Sequence, residues 1–253
     1  MNVVLIGAGR GERLMPLTAD VPKTFAEIGG KRILDWTLDA FNGNGLDRFV
    51  FIGGYRMDAV RQSYPSFTFV ENTDWANNNI LFSLLCARDH LGGGFYSTYT
   101  DTLFRADAVE ALKASPHDIT LVSDTLWRKH YAFRTQHPER DGEKMIAESG
   151  VVKRLSRDIA PEDATGEFTG VLKMSAAGAA TFLSFCDDLA TTLGIEGTFV
   201  DGRPSRMAYL IQVFDRMIQA GIPGHCVAVP GQYHEIDTLE DYGLATPVWR
   251  EPT

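Results

Sequence analysis

The first 25 residues constrain this chain more than any other stretch. Met1-Asn2-Val3-Val4-Leu5-Ile6 is an apolar, β-favouring run. It passes directly into Gly7-Ala8-Gly9-Arg10-Gly11-Glu12-Arg13-Leu14, then into a loop that closes on Pro22-Lys23. Glycines let a backbone come close to an anion, and free N–H groups at the following turn favour its oxygens. Arg13 and Lys23 add fixed positive charge. The stretch predicts a strand ending in a loop that holds a polyphosphate, with Gly7, Ala8, Gly9 and Gly11 as its backbone.

Two common phosphate loops do not fit. The P-loop needs four residues between its glycines and then Gly-Lys-Ser/Thr, and no such run occurs. The dinucleotide loop needs Gly-x-Gly-x-x-Gly and an acid after the second strand. Here the third glycine, Gly11, comes one residue early, and the second strand ends in Gly53-Gly54-Tyr55. A dinucleotide-dependent oxidoreductase is therefore disfavoured.

Along the chain, strands alternate with amphipathic helices. Apolar runs at 3–6, 48–52, 67–70, 95–100 and 119–122 read as strands, and 31–41, 58–64, 80–87 and 106–114 as helices. This alternation predicts an α/β fold, a three-layer Rossmann-like, mostly parallel sheet with helices on both faces. Residues 1–253 read as one domain. Within it, short strands and turns over about 124–172 suggest a small antiparallel lobe above the sheet. Ligands in such sheets bind beyond the carboxyl ends of the strands, which places the opening loop and Gly54 at one crevice.

Three further features lie at that crevice. Asn77-Asn78-Asn79 precedes the helix containing Ser83. Asparagines cap helices, but amides also suit a nucleobase edge because they both donate and accept. Asp101 ends the strand at 95–100, where it can cap the next turn or act as a hard oxygen ligand for Mg²⁺. Asp237, in Asp-Thr-Leu-Glu-Asp-Tyr, reads as a helix N-cap with Glu240 as its capping-box partner. His234 reads as structural.

The net charge is −9, which argues against general attraction to nucleic acid. The three cysteines are far apart and lack metal-ligand spacing. The opening residues carry neither a basic leader nor a signal-type apolar core, and no apolar run approaches the roughly 20 residues of a membrane helix. The expectation is a cytoplasmic protein with no membrane partner. Oligomeric state is not legible, and a homodimer stays open.

Gly9-x-Gly11-x-Arg13-Leu14-x-Pro16-Leu17-Thr18, followed by Pro22-Lys23, resembles the opening motif of the nucleotidyltransferases that couple a nucleoside triphosphate to a phosphorylated small molecule. Ile6-Gly7 and Phe25-Ala26-Glu27-Ile28 depart from that motif without removing a charged group. Gly166-Glu167-Phe168-Thr169-Gly170 resembles the phosphocholine and phosphonate cytidylyltransferase branch more than the sugar-nucleotide enzymes. The resemblance implies a GT-A-like nucleotidyltransferase fold and transfer of CMP from CTP to an acceptor such as phosphocholine or 2-aminoethylphosphonate. It implies catalytic roles for Arg13 and Lys23, a base-side role for Asn78, Asn79 and Ser83, and Mg²⁺ held by Asp101 and Asp237. It also points to the 124–167 region as the acceptor pocket. There Asp124 and Glu167, with Trp127 and Tyr131, can hold a small cation by charge and aromatic faces, or the aromatics can be ordinary packing. The rival within the class is a sugar-1-phosphate nucleotidylyltransferase using UTP, dTTP or GTP. The rival outside it is a catalytically dead nucleotide sensor, disfavoured because Lys23, Asp101 and Asp237 are all present.

Overall fold

Val3 and Leu5 face one side of the first strand, and Val4 and Ile6 the other; all four are buried. A strand apolar on both faces needs cover on both, which is what a three-layer fold supplies. The computed structural model describes residues 1–194, 197–198 and 202–250. One sheet contains β1 (Asn2–Gly7), β2 (Phe49–Gly53), β3 (Thr68–Glu71), β4 (Phe95–Tyr99), β5 (Ile119–Asp124), β6 (Lys144–Glu148), β7 (Val151–Leu155), β8 (Gly166–Met174) and β9 (His225–Val229). Their order is β3-β2-β1-β4-β8-β5-β9-β7-β6.

The β3-β2-β1-β4 half is parallel. The other half is mixed: β8 runs antiparallel to both β4 and β5, while β9 is parallel to β5. The start of β8 also pairs with β6, through Gly166–Met145 and Glu167–Lys144. Strands β8, β5, β9, β7 and β6 thus form a closed ring, which leaves neither end of that half as an open edge. Of the stretch 124–172, expected as an antiparallel lobe, β6, β7 and the start of β8 lie in this ring, which also takes in β5 and β9 and is continuous with the main sheet.

Helices α1 (Ile33–Asn42), α2 (Met57–Ser63) and α4 (Ala106–Ala114) cover the Val3/Leu5 face through Leu34, Phe41, Val60 and Val109. Helices α3 (Ile80–Cys86), α6 (Ala176–Leu193) and α7 (Leu210–Gln219) cover the Val4/Ile6 face through Leu84, Phe182 and Phe214. No helix among the described residues is long and apolar enough to cross a membrane. Short α5 (Trp127–Tyr131) and α8 (Leu239–Ala245) complete the set.

A third apolar cluster joins the opening loop to the C-terminal segment. Leu14, Ile28, Trp36, Leu103, Ile236 and Trp249 pack together. The Trp36 and Trp249 rings meet edge to face at 5.7 Å. Trp249 Nε1 donates to His234 Nδ1 at 3.3 Å, so His234 is structural, as expected. Removing a large buried aromatic costs about 3–5 kcal/mol. Trp249→Ala should lose that much in urea unfolding; a loss below about 1 kcal/mol would show that the C-terminal segment is not packed there.

Candidate active site

The loop after β1 is shaped around Lys23. Gly11 has φ +69°, and a Cβ there would come within 2.9 Å of three Lys23 side-chain carbons. Only glycine meets both demands. Thr18 Oγ1 donates to the Gly11 carbonyl at 2.8 Å and closes the loop. Lys23 opens a short 3-10 turn, Lys23–Phe25, directly after Pro22.

Lys23 Nζ donates to Asp101 Oδ2 at 2.8 Å and also to Asp237 Oδ1. Arg13 Nη2 donates to Asp237 Oδ2. The four residues predicted to carry chemistry therefore meet at one point. Burial pushes the Lys23 ammonium towards losing its proton, but Asp101 and Asp237 outweigh this and hold its pKa above the ordinary lysine value. Burial likewise pushes Asp237 up, and Lys23 and Arg13 overcome it, holding the carboxyl well below the usual range. Asp101 Oδ1 is buried and has no hydrogen-bond partner among the described residues.

The backbone explains how Asp237 arrives there. Tyr233–Glu235 pairs antiparallel with Thr102–Phe104, and Ile236 N–H donates to the Asp101 carbonyl at 2.9 Å. The capping box expected at Asp237 lies one residue later. Thr238 is the N-cap of α8, and Asp241 is its partner. Asp241 Oδ2 accepts from the N–H groups of Asp237 (3.1 Å) and Thr238 (2.9 Å). Glu240 instead accepts from the N–H groups of Thr135 and Gln136. That shift leaves the Asp237 side chain free to face the cations.

These groups lie on a cavity of about 510 Å³, together with Gly7, Ala8, Gly9 and Gly11 and, further along, Asn78, Asn79 and Ser83. The asparagines divide their work. Asn79 is the N-cap of α3, accepting from Ile80 N–H at 2.8 Å, as the capping alternative had it. Asn78 exchanges amide hydrogen bonds with Asn72 at 2.7 and 3.0 Å, and Asn72 also donates to Ser83 Oγ at 3.0 Å. The amide cluster is thus braced from behind before any ligand enters. Gly54 is not on the cavity wall: a Cβ there would strike the Trp75 ring at 2.5 Å, so its glycine is needed for packing. Trp75 itself is on the wall.

The acceptor pocket expected around Asp124, Trp127, Tyr131 and Glu167 is not where the cavity lies. Asp124 and Glu167 face each other in register across β5 and β8, and all four side chains are buried behind the wall. Asp124 accepts from the N–H groups of Leu126 (2.8 Å) and Gly231 (2.7 Å), which satisfies the turns after β5 and β9. Trp127 packs edge to face on Tyr131 at 5.6 Å, and Tyr131 OH donates to Glu167 Oε1 at 2.6 Å. The aromatics are packing, and the carboxylates are tied up inside.

In their place the wall is completed by Tyr99, Glu143, Arg157, Tyr209 and Glu235, none of which the sequence singled out. For Glu235 a signal existed: residues alternating along an extended segment share a face, so Glu235 and Asp237 belong together. Glu143 and Arg157 flank the β6–β7 hairpin and carry no local sign of a shared site. Ligand atoms of His137, Glu235 and Asp237 lie within 4.8 Å of one another, a second set able to hold a metal beside the Asp101–Asp237 pair.

A glycine loop carrying two cations onto two carboxylates, at the carboxyl ends of a three-layer α/β sheet, defines a nucleotidyltransferase. The chain belongs to the MobA-like NTP transferase domain family, whose model matches residues 3–162. It is 24% identical over 251 residues to the CTP:phosphoglutamine cytidylyltransferase of Campylobacter jejuni, across 95% of this chain and 97% of that protein. It is 29% identical over 96 residues to the 2-aminoethylphosphonate cytidylyltransferase of Lancefieldella rimae, across 37% of this chain and 39% of that one. Among solved structures, the inositol-1-phosphate CTP transferase from T. maritima superposes with a TM-score of 0.75 at 19% identity, covering 100% of this chain and 97% of that one. The CTP:phosphocholine cytidylyltransferase from Streptococcus pneumoniae gives 0.72 at 20%, covering 98% of each. These two likenesses establish the fold.

Glu143 offers a test of the wall. Burial pushes its carboxyl from 4.5 up to about 7, against the pull of Arg157, while the nearby Glu167 carboxylate adds to the rise. Tyr99 OH donates to Glu143 Oε2 at 3.3 Å. A carboxyl that holds its proton more tightly when folded stabilises the fold fully below its unfolded pKa, and the contribution is lost as pH rises through the folded value. Glu143→Gln removes that loss. Its stability relative to wild type should therefore rise by about 2–3 kcal/mol between pH 4.5 and pH 8 in urea unfolding. A constant difference across that window would place Glu143 in water.

Proposed function

We propose that this nucleotidyltransferase transfers CMP from CTP to a small acceptor bearing a phosphate or phosphonate, with release of pyrophosphate. The observation that carries the reading is the meeting of Lys23 with Asp101 and Asp237 on the cavity that begins at the glycine loop. The choice of CTP and of a small phosphorylated acceptor is supported by the near full-length similarity to a phosphoglutamine cytidylyltransferase.

In this reading an acceptor oxygen attacks the α-phosphorus in line with the departing pyrophosphate. The second pKa of a phosphate is about 6, so the nucleophile is ionised at neutral pH and needs no strong base. Catalysis is then positioning and charge neutralisation. Arg13 and the amides of the Gly7–Gly11 loop hold the β and γ phosphates. Lys23 keeps its charge across the working pH range and lies against the α-phosphate and the acceptor. Asp101 and Asp237 fit a Mg²⁺ ion: both are hard oxygen donors, and Asp101 Oδ1 is a buried acceptor without a hydrogen bond among the described residues. Magnesium bound there neutralises charge on the phosphates. With phosphate oxygens as the partners of Lys23 and Arg13, Asp101 and Asp237 would be free to hold the ion. Asn78, Asn79 and Ser83 form the base side, with Trp75 beside them.

Pyrophosphate release over a matrix of four nucleoside triphosphates and a panel of small phosphates and phosphonates tests the reading. CTP with a small non-sugar acceptor should give the highest kcat/KM. A maximum at UTP with glucose 1-phosphate would replace it with a sugar-nucleotide activity. Lys23→Ala should lower kcat roughly 100- to 1,000-fold, the scale of losing one preorganised charge at a phosphoryl centre. Its far-UV circular dichroism should match wild type; near-normal turnover would remove Lys23 from the mechanism.

A further inference from the structure

Asp237 is held from two sides. On the cavity side, Lys23 and Arg13 take its carboxylate oxygens. Behind it, its backbone is held by a short irregular strap, residues 134–137, which lies between α5 and β6. Arg134 is the main link. Its Nη2 donates to the Glu235 carbonyl at 3.1 Å, and its Nε lies 2.9 Å from Asp241 Oδ1. One planar group therefore grips the chain on both sides of Asp237. Asp241 extends the grip: its other oxygen, Oδ2, accepts from the N–H groups of Asp237 and Thr238 and from the Thr238 hydroxyl. Further out, the N–H groups of Thr135 and Gln136 donate to Glu240 at 2.6 and 2.8 Å, and the Thr135 hydroxyl does so at 2.8 Å.

The strap is fixed in its turn. The Arg134 guanidinium lies over the Tyr131 ring at 4.9 Å, and the Arg134 N–H donates to the Tyr131 carbonyl at 3.0 Å. Tyr131 is itself pinned by its bond to Glu167. The His137 ring meets the Tyr131 ring edge to face at 5.6 Å, with its nitrogens 3.6 Å from Asp241 Oδ2 and from Glu235 Oε2. The side chains of Arg134 and Asp241 are 2% and 0% exposed. A buried ion pair adds little net stability over apolar packing, whereas a planar guanidinium fixes the geometry of two acceptors at once.

We propose that Arg134 is a positioning residue for Asp237: with Asp241 and Glu240, it keeps that carboxylate aimed into the cavity once Lys23 and Arg13 have turned to the nucleotide. This rests on the function proposed above, in which phosphate oxygens become the partners of both cations. The side-chain contacts that fix Asp237 are then given up, and its placement depends on the backbone contacts behind it. Removing a group that orients a metal ligand costs about 10- to 100-fold in metal affinity.

Mn²⁺ binding reads the position of Asp237 without turnover. The ion is titrated into the full chain holding a non-hydrolysable CTP analogue, and free Mn²⁺ is followed by electron paramagnetic resonance. Arg134→Lys keeps a charge beside Asp241 but cannot grip two acceptors with a planar fork, and it should weaken Mn²⁺ binding about tenfold. Glu240→Ala removes the outer contacts at a partly covered position and should weaken it about threefold. Phe182→Leu, a core substitution in α6 outside this network, should leave Mn²⁺ binding unchanged. A loss below about threefold in Arg134→Lys overturns the inference, as does an equal loss in Phe182→Leu. If Arg134→Lys does not fold, Glu240→Ala decides: weakened binding upholds the inference and wild-type binding overturns it. Weakened binding in a chain that releases no pyrophosphate from any nucleoside triphosphate upholds the positioning and sinks the proposed function alone. CMP transfer with Mn²⁺ binding untouched in the variants does the reverse, and a wild-type chain that binds no Mn²⁺ overturns the inference.

Discussion

The geometry of the charged cluster in the cavity depends on one buried ammonium. Lys23 lies between Asp101 and Asp237, residues 78 and 214 positions away in the chain, and Arg13 sits on the far oxygen of Asp237. Isolated, the enclosed charges of Lys23 and Asp237 would be expensive; with Asp101 and the half-exposed Arg13 they neutralise one another. Breaking one member would leave its partner uncompensated, so the loop, the turn after β4 and the segment before α8 are held to a single arrangement.

Much of the fold exists to make that meeting possible. β1 delivers the loop and β4 delivers Asp101 from adjacent parallel strands. Asp237 comes from the opposite end of the chain, and the cluster of Trp36, Trp249 and Leu14 anchors that end under the loop. On the other side of the cavity the sheet curls into the β8-β5-β9-β7-β6 ring. That curl carries Glu143 and Arg157 to the wall and turns Asp124 and Glu167 inward.

The parts of the site legible in the sequence were those whose chemistry is local. A strand followed by glycines and cations states its purpose over 25 residues, and Asp101 follows from the strand it terminates. The misreadings came where the decision is not local. Asp237 and Thr238 are equally good caps on paper, and the choice between them was made by Asp241, which is fully buried with Arg134 Nε 2.9 Å from its Oδ1. Gly54 looks like a ligand-facing glycine until Trp75 is seen against it. Asp124, Trp127, Tyr131 and Glu167 have the composition of a cation cage, but the register of β5 against β8 set Asp124 opposite Glu167 in the interior, and Trp127 and Tyr131 are buried on α5.

The sequence by itself determined the class of fold, the glycine loop and the charged groups that meet at Lys23. Periodicity, glycine and charge act over a few residues, so they can be read in order. Tertiary structure alone decided which residues complete the cavity wall. Glu143, Arg157, Tyr209 and Glu235 share a wall because a sheet closed on itself. Closure depends on pairings between distant strands, and no local pattern records on which side of such a ring a side chain will emerge.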